Sequence, residues 1–171
     1  MLNDSTGSER GRLKWLPREL WEDVLEWCVI PTFDLVAELP GGAGIVLVKR
    51  TIPPYKNKWA LPGLRMLKPE SIDDTLARIA ADEIGLKLKL NDKRFLGQYV
   101  GRFRVEHERQ DISTGYAVPA LPSAINLNSA HFSDYQVIRD FSEVPPSTGA
   151  MYKFYLQEYF SLRLQEGGSH F

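Results

Sequence analysis

The sequence predicts an α/β domain, a mixed sheet with helices packed against it. Three observations carry this. β-rich runs recur at residues 29–39, 45–50, 95–105 and 116–121. Helical periodicity separates them at residues 71–84 and follows them from residue 145. Strands interleaved with helices, without an internal repeat, give a sheet covered by helices. The 171 residues suit one domain able to bury a core, and 43% hydrophobic with 25% charged content is ordinary for a globular chain.

Residues 1–12 are polar and glycine/serine-rich and read as a disordered N-terminal tail. A single domain is expected over 13–165, with a short C-terminal tail at 166–171. Pro17 suits a first helical turn, and Leu20, Trp21, Val24, Leu25 and Cys28 follow on one helical face. That places Cys28 as a small buried apolar residue. As the lone cysteine, it excludes an internal disulfide and a cysteine zinc cluster. Val29–Leu39 and Ile45–Arg50 read as a hairpin across a Pro-Gly-Gly-Ala-Gly turn. The turn is not a phosphate loop, because no Gly-Lys-Ser/Thr follows and a strand stands where a helix belongs.

A proline-containing loop covers 51–58, and Trp59-Ala-Leu is a short strand ending at Pro62-Gly63. Ser71 with Asp74 three residues on reads as a helix N-cap. The helix runs to about Ile84 with Leu76, Ile79, Ala80 and Ile84 as its apolar stripe, and Gly85 stops it. Phe95–Val105 is the clearest later strand, and Glu106–Thr114 reads as a charged loop. Tyr116–Leu121 is a strand in which Pro119 suggests an edge or bulge. Tyr135–Ile138 is a last short strand. Pro145-Pro-Ser-Thr opens a helix to about Gln165, with Met151, Phe154, Tyr155, Tyr159 and Leu162 on its buried face.

A net charge of −1 gives no footprint for nucleic acid or an anionic membrane, and leaves room for a local basic pocket. No apolar run reaches transmembrane length and no signal peptide is evident, so a cytoplasmic location follows by default.

The chemistry concentrates in residues 62–86, PGLRMLKPESIDDTLARIAADEIGL. Glu70, Arg78, Asp82, Glu83, Gly85 and Leu86 stand there at set intervals. Positions 79, 82 and 83 are related by i, i+3 and i+4 and share a helix face. The stretch resembles the Nudix box, the loop–helix–loop with which Nudix hydrolases hold a divalent metal against a diphosphate. Its pattern is G-x5-E-x7-R-E-U-x-E-E-x-G-U, with U aliphatic. Two positions depart from it: Leu64 replaces the first glycine, and Ile79 the first helical carboxylate. The resemblance implies a Nudix-type α/β/α sandwich with a mixed central sheet. It implies Mg2+ (or Mn2+) held by Asp82, Glu83 and the Gly63 carbonyl. Such an ion neutralises a diphosphate, and one or two carboxylates suffice for magnesium. Asp82 is a methylene shorter than the usual Glu.

Ile79 can neither bind metal nor activate water. One Nudix branch also lacks that Glu, the GDP-mannose mannosyl hydrolases, and the likeness extends beyond the box. It takes in Asp34 in Pro31-Thr-Phe-Asp-Leu-Val, Arg50 in Leu47-Val-Lys-Arg-Thr, Arg65 in Trp59-Ala-Leu-Pro-Gly-Leu-Arg, a strand Tyr116, and His131 to Tyr135. The resemblance implies that Arg50 and Arg65 contact the diphosphate, with Asp34 as a polar partner and Tyr116 beside the substrate. Arg78 joins the catalytic set by holding the loop around the site. The base would be His131, although a direct register places Phe132 there. His107, Glu106 and Glu108 are rivals, and His170 lies in the tail. The implied partner is a small nucleoside diphosphate compound, a nucleotide sugar such as GDP-mannose. A homodimer is compatible with this. The alternative is a catalytically inactive domain that binds a nucleotide or a protein.

Overall fold

The computed structural model describes residues 13–104 and 107–167. The tail read over 1–12, part of the 95–105 strand and 106–114 loop (Val105, Glu106), and His170 lie outside the described residues. In chain order the elements are α1 (Arg18–Trp27), β1 (Ile30–Leu39), β2 (Gly44–Arg50), β3 (Trp59–Ala60), β4 (Gly63–Arg65) and α2 (Ile72–Ile84). They are followed by β5 (Arg94–Arg102), β6 (Gln110–Pro119), β7 (Phe132–Ile138) and α3 (Ala150–Gly167).

The seven strands form one mixed sheet in the order β3-β2-β1-β6-β5, with β4 added to β1 and β7 to β2. β1 and β6 run parallel, and the other pairs are antiparallel. Helices cover both faces, as the α/β/α expectation requires. The core is one cluster, in which Leu35, Ile45, Leu47, Leu76, Ile79, Ile84, Tyr155 and Leu156 are fully buried.

The hairpin is present but splays. β1 and β2 pair only at Glu38↔Ile45 and Leu39↔Gly44, beside the turn. Beyond that, the segment Trp59–Arg65 crosses between them, pairing first with β2 through Ala60 and then with β1 through Gly63, Leu64 and Arg65. β4 therefore stands where the sequence reads as a glycine turn. The splay makes a wedge, and the site lies in it.

α2 matches its sequence reading closely. Ser71 Oγ accepts from Asp74 N at 3.1 Å, and the Asp74 carboxylate accepts from Ser71 N at 3.0 Å, a reciprocal capping box. Gly85 closes the helix in the left-handed region at φ 70°.

Four readings are corrected. Cys28 is exposed, because α1 ends at Trp27 and Cys28 turns into extended backbone (φ −125°, ψ 146°), leaving the helical stripe. Of that stripe only Leu25 is buried. Residues 110–114 are strand rather than loop, and their alternation buries Asp111 and Ser113 on one face. Pro119 is neither edge nor bulge: β6 is interior, and the proline ends it, where its missing N–H interrupts no ladder. α3 begins at Ala150, runs through Gly167 beyond the expected end, and also buries Tyr152, Leu156 and Phe160.

Candidate active site

A cavity of about 290 Å³ opens in the wedge. Its residues include Thr32, Asp34, Arg50, Gly63, Leu64, Arg65, Arg78, Arg109 and Asp111. Asp34 is 3% exposed. Burial pushes its carboxyl up to about 7, against the lowering influence of the Ser113 hydrogen bond and of Arg50. The Ser113 hydroxyl donates to Asp34, and Tyr155 Oη donates to Ser113 Oγ at 2.9 Å. Gly63 lies opposite Asp34. A Cβ there would run into the Asp34 carboxylate and approach the Phe33 carbonyl to 2.8 Å, so only glycine lets the strands meet. Leu64, in place of the box glycine, is an ordinary strand residue that packs on the core and lines the cavity.

Four arginines line this cavity, and three are committed to building it. Arg50 donates Nε to the Pro54 carbonyl at 2.7 Å and Nη2 to the Pro53 carbonyl at 3.2 Å. Arg78 grips both oxygens of Glu70, at 2.5 and 2.9 Å, and donates to the Arg65 carbonyl at 2.8 Å. Burial raises the Glu70 carboxyl, but the Arg78, Leu67 N–H and Thr75 contacts outweigh it and hold it below the usual range. Arg109 forms a fork on Asp111 at 2.6 and 2.9 Å. Arg65 differs. Its guanidinium lies 3.8 Å from the Trp21 ring centroid and 5.9 Å from that of Trp15, and its N–H groups meet no acceptor among the described residues. Burial, then Arg109 and Arg78, hold its pKa below the ordinary arginine value. Of the four, Arg65 is the one whose guanidinium is held by ring stacking.

A second group is centred on Glu83, 2% exposed near the end of α2. His131 Nδ1 lies 2.8 and 2.9 Å from its two oxygens. Asn128 Nδ2 donates to Glu83 Oε1 at 3.1 Å, and Asn128 N to the Glu83 carbonyl at 2.9 Å. A bulge brings His131 here. β2 pairs Lys49 with Asp134 but Arg50 with Phe132, so Ser133 is absorbed as an extra residue. Phe132 then points into the core, and His131 stands on the loop facing Glu83. Thr51 N donates to the His131 carbonyl at 2.8 Å, tying this loop to the Arg50–Pro54 wall.

The sequence-predicted residues therefore fall into two neighbouring groups. Asp34, Arg50, Gly63, Arg65 and Arg78 share the cavity, while Glu83 and His131 pair outside its lining. Tyr116 stands apart, stacked with Phe33 at 6.4 Å on the sheet face opposite Asp34, because strand neighbours alternate. Asp82 is exposed on α2. His107 is exposed and lies 3.3 Å from Glu26, and Glu108 is also exposed. Glu106 lies outside the described residues. Sequence reasoning passed over Thr32, Arg109, Asp111, Asn128, Trp15 and Trp21. The signal for Arg109 and Asp111 was the period-two row Arg109-x-Asp111-x-Ser113, which reads equally as a polar loop.

Among the described residues no group of three or more His, Cys, Asp or Glu could hold a metal ion. A magnesium ion shared with a diphosphate asks less: one hard carboxylate and oxygens from the ligand. Buried Glu83 fits that demand, and Asp82 beside it in sequence is exposed.

Known proteins give a consistent picture. The NUDIX domain model matches residues 30–157. A low-salt glycan biosynthesis protein, Agl8 of Haloferax volcanii, is 26% identical over 97 residues, and the match spans 57% of this chain and 57% of that relative's length. The fold is similar to a MutT protein of Methanosarcina mazei Go1, with TM-score 0.64 and 16% identity over 79% of this chain and 96% of the other. It is also similar to the NUDIX domain of Shewanella oneidensis NrtR, solved with ADP-ribose. There the TM-score is 0.63 and identity 17%, over 87% of this chain and 99% of that one. Among the described residues no helix is long and apolar enough to cross a membrane.

Proposed function

The chain belongs to the NUDIX domain family, and on that premise we propose that it hydrolyses a nucleoside diphosphate linked to a second moiety, of the nucleotide-sugar class to which GDP-mannose belongs. Family members act on nucleoside diphosphate derivatives and generally use divalent metal ions. The observation that carries the reading is the Glu83–His131 contact: the box carboxylate and a histidine from a distant loop meet at 2.8 Å. Ile79, where the family's usual carboxylate belongs, is in the core, so a base must come from outside α2.

His131 Nδ1 sits on the carboxylate, so it is the ring nitrogen that carries the proton and donates. Nε2 is then the free lone pair, able to take a proton from water as general base. Glu83 sets the tautomer and orientation, and Asn128 fixes Glu83. A carboxylate has about four lone-pair sites, so Glu83 can serve His131 and also ligate Mg2+, with the Gly63 carbonyl as the second protein donor. When bound, that ion neutralises the diphosphate and stabilises it as a leaving group. Arg65 binds the diphosphate by charge-assisted hydrogen bonds, while Arg50 and Arg78 hold the walls. The glycan biosynthesis protein among the relatives is compatible with a sugar-linked substrate.

The test is a release assay over a nucleotide-sugar panel, with and without Mg2+, on wild type and His131→Gln. Free sugar with intact GDP means attack at carbon, and nucleoside monophosphate means attack at phosphorus. His131→Gln should lower kcat by about 10²–10⁴-fold with nucleotide affinity little changed. Full activity in that variant refutes the base assignment. If the wild type turns nothing over yet binds nucleotides, the chain is a binding domain, a reading that the apolar Ile79 favours.

A further inference from the structure

The cavity has a polar floor and an aromatic mouth, and the chemistry above uses only the floor. Trp15 and Trp21 belong to the mouth and precede residue 30, where the family match begins. Both lie outside the stretch that the family model matches. Trp15 leaves 63% of its surface exposed while lining the cavity, an unusual place for a large indole in a free surface. Phe103 lines the same cavity, held edge-on to Tyr55 at 5.4 Å between centroids.

A second observation points to a ligand. Thr32 is 8% exposed, and its buried hydroxyl has no hydrogen-bond partner among the described residues. Burying a hydroxyl unpaired is unfavourable unless something external satisfies it. Thr32 is the direct cross-strand partner of Arg65, so their side chains share one face, and both line the cavity. An unpaired hydroxyl and a stacked guanidinium thus come from paired residues of one cavity lining, which the two indoles share.

We propose that Trp15, backed by Trp21, is a nucleobase slot: a planar base stacks on the indole while the attached phosphate takes the Thr32 hydroxyl and the Arg65 guanidinium. This rests on the nucleoside diphosphate reading above. A base has two bare faces and suits a wall of indole, Phe103 and Pro53. A hexose carries hydroxyls on every side and would leave them unpaired there. Arg65 already uses Trp21 for its own face, which orients its N–H edge and leaves Trp15 for the base.

The experiment is calorimetric titration of the full chain, wild type and Trp15→Ala, with GDP, inorganic pyrophosphate and mannose 1-phosphate, all with Mg2+. Trp15→Phe is carried alongside as a ring-preserving control, and quenching of intrinsic fluorescence reports stacking independently. In the wild type GDP should bind more tightly than pyrophosphate. Trp15→Ala should weaken GDP by about 5- to 150-fold and leave pyrophosphate unchanged, with Trp15→Phe in between. If GDP and pyrophosphate bind the wild type equally, or Trp15→Ala leaves GDP unaffected, the slot is refuted and the diphosphate reading stands. If Trp15→Ala weakens mannose 1-phosphate but not GDP, the wall holds the sugar and the proposal is wrong. If the wild type binds neither GDP nor pyrophosphate, the diphosphate reading fails and takes the slot with it.

Discussion

Replacing Arg78 by Met should unfold the loop that frames the cavity, and the cost can be reasoned from its contacts. The Arg78 and Glu70 side chains are 10% and 4% exposed, so neither charge has water to fall back on. Arg78→Met removes two hydrogen bonds to Glu70 and one to the Arg65 carbonyl, and leaves the carboxylate buried with only Leu67 N–H and Thr75 Oγ1. Breaking one side of a buried pair costs about 3–5 kcal/mol. Urea unfolding followed by circular dichroism would show it as a midpoint shift of about 1–5 M, for a slope of about 1–3 kcal/mol/M. The pH dependence is the sharper check. In the wild type Glu70 is held below 4.5, so its contribution is present above that pH and is lost as pH falls through the folded pKa. Without Arg78 only burial and two neutral donors act on it, and the advantage disappears. The gap between wild type and variant should therefore be widest near pH 7 and shrink below about 4. A loss under about 1 kcal/mol at pH 7, or a gap independent of pH, would falsify the view that Arg78 works by pairing with Glu70.

Three further outcomes follow from the same contacts. Asp34 has a folded pKa of about 7 against an ordinary value of 3.8, so its burial must weaken the protein as pH rises through that window, by on the order of 4 kcal/mol. Asp34→Asn should flatten the stability profile between pH 4 and 8, and an unchanged slope would show that Asp34 is not the titrating group. Glu83→Gln should weaken Mn2+ binding measured with GDP present, while Asp82→Asn should not; equal losses would place both carboxylates on the metal. Gly63→Ala should destabilise by about 1–3 kcal/mol and weaken GDP binding, because the added methyl meets Asp34 and the Phe33 carbonyl. A wild-type melting curve would mean that β4 can move away from β1 freely.

Features that depend on near neighbours are legible in the chain before it folds. Ser71, Asp74 and Gly85 mark both ends of α2 because a capping box and a left-handed stop are satisfied within a few residues. The box spacing points to Glu83, and the interleaved strands and helices to a mixed sheet between helices. Features that depend on distant partners emerge only in the fold. Arg109 and Asp111 look like a charged loop until β6 pairs with β1, buries Asp111 and leaves Arg109 forked on it. Cys28 and the apolar face of α1 look buried, yet among the described residues only Leu25 of that face is fully covered. His131 is a loop residue by sequence, and only the bulged pairing of β7 with β2 shows it facing Glu83. Arg50, Arg65 and Arg78 are alike as letters. Only their partners separate the two that hold walls from the one that stacks on an indole. The physical reason is range: caps and periodicity act within a helical turn, whereas burial and pairing exist only once the sheet has brought remote segments together.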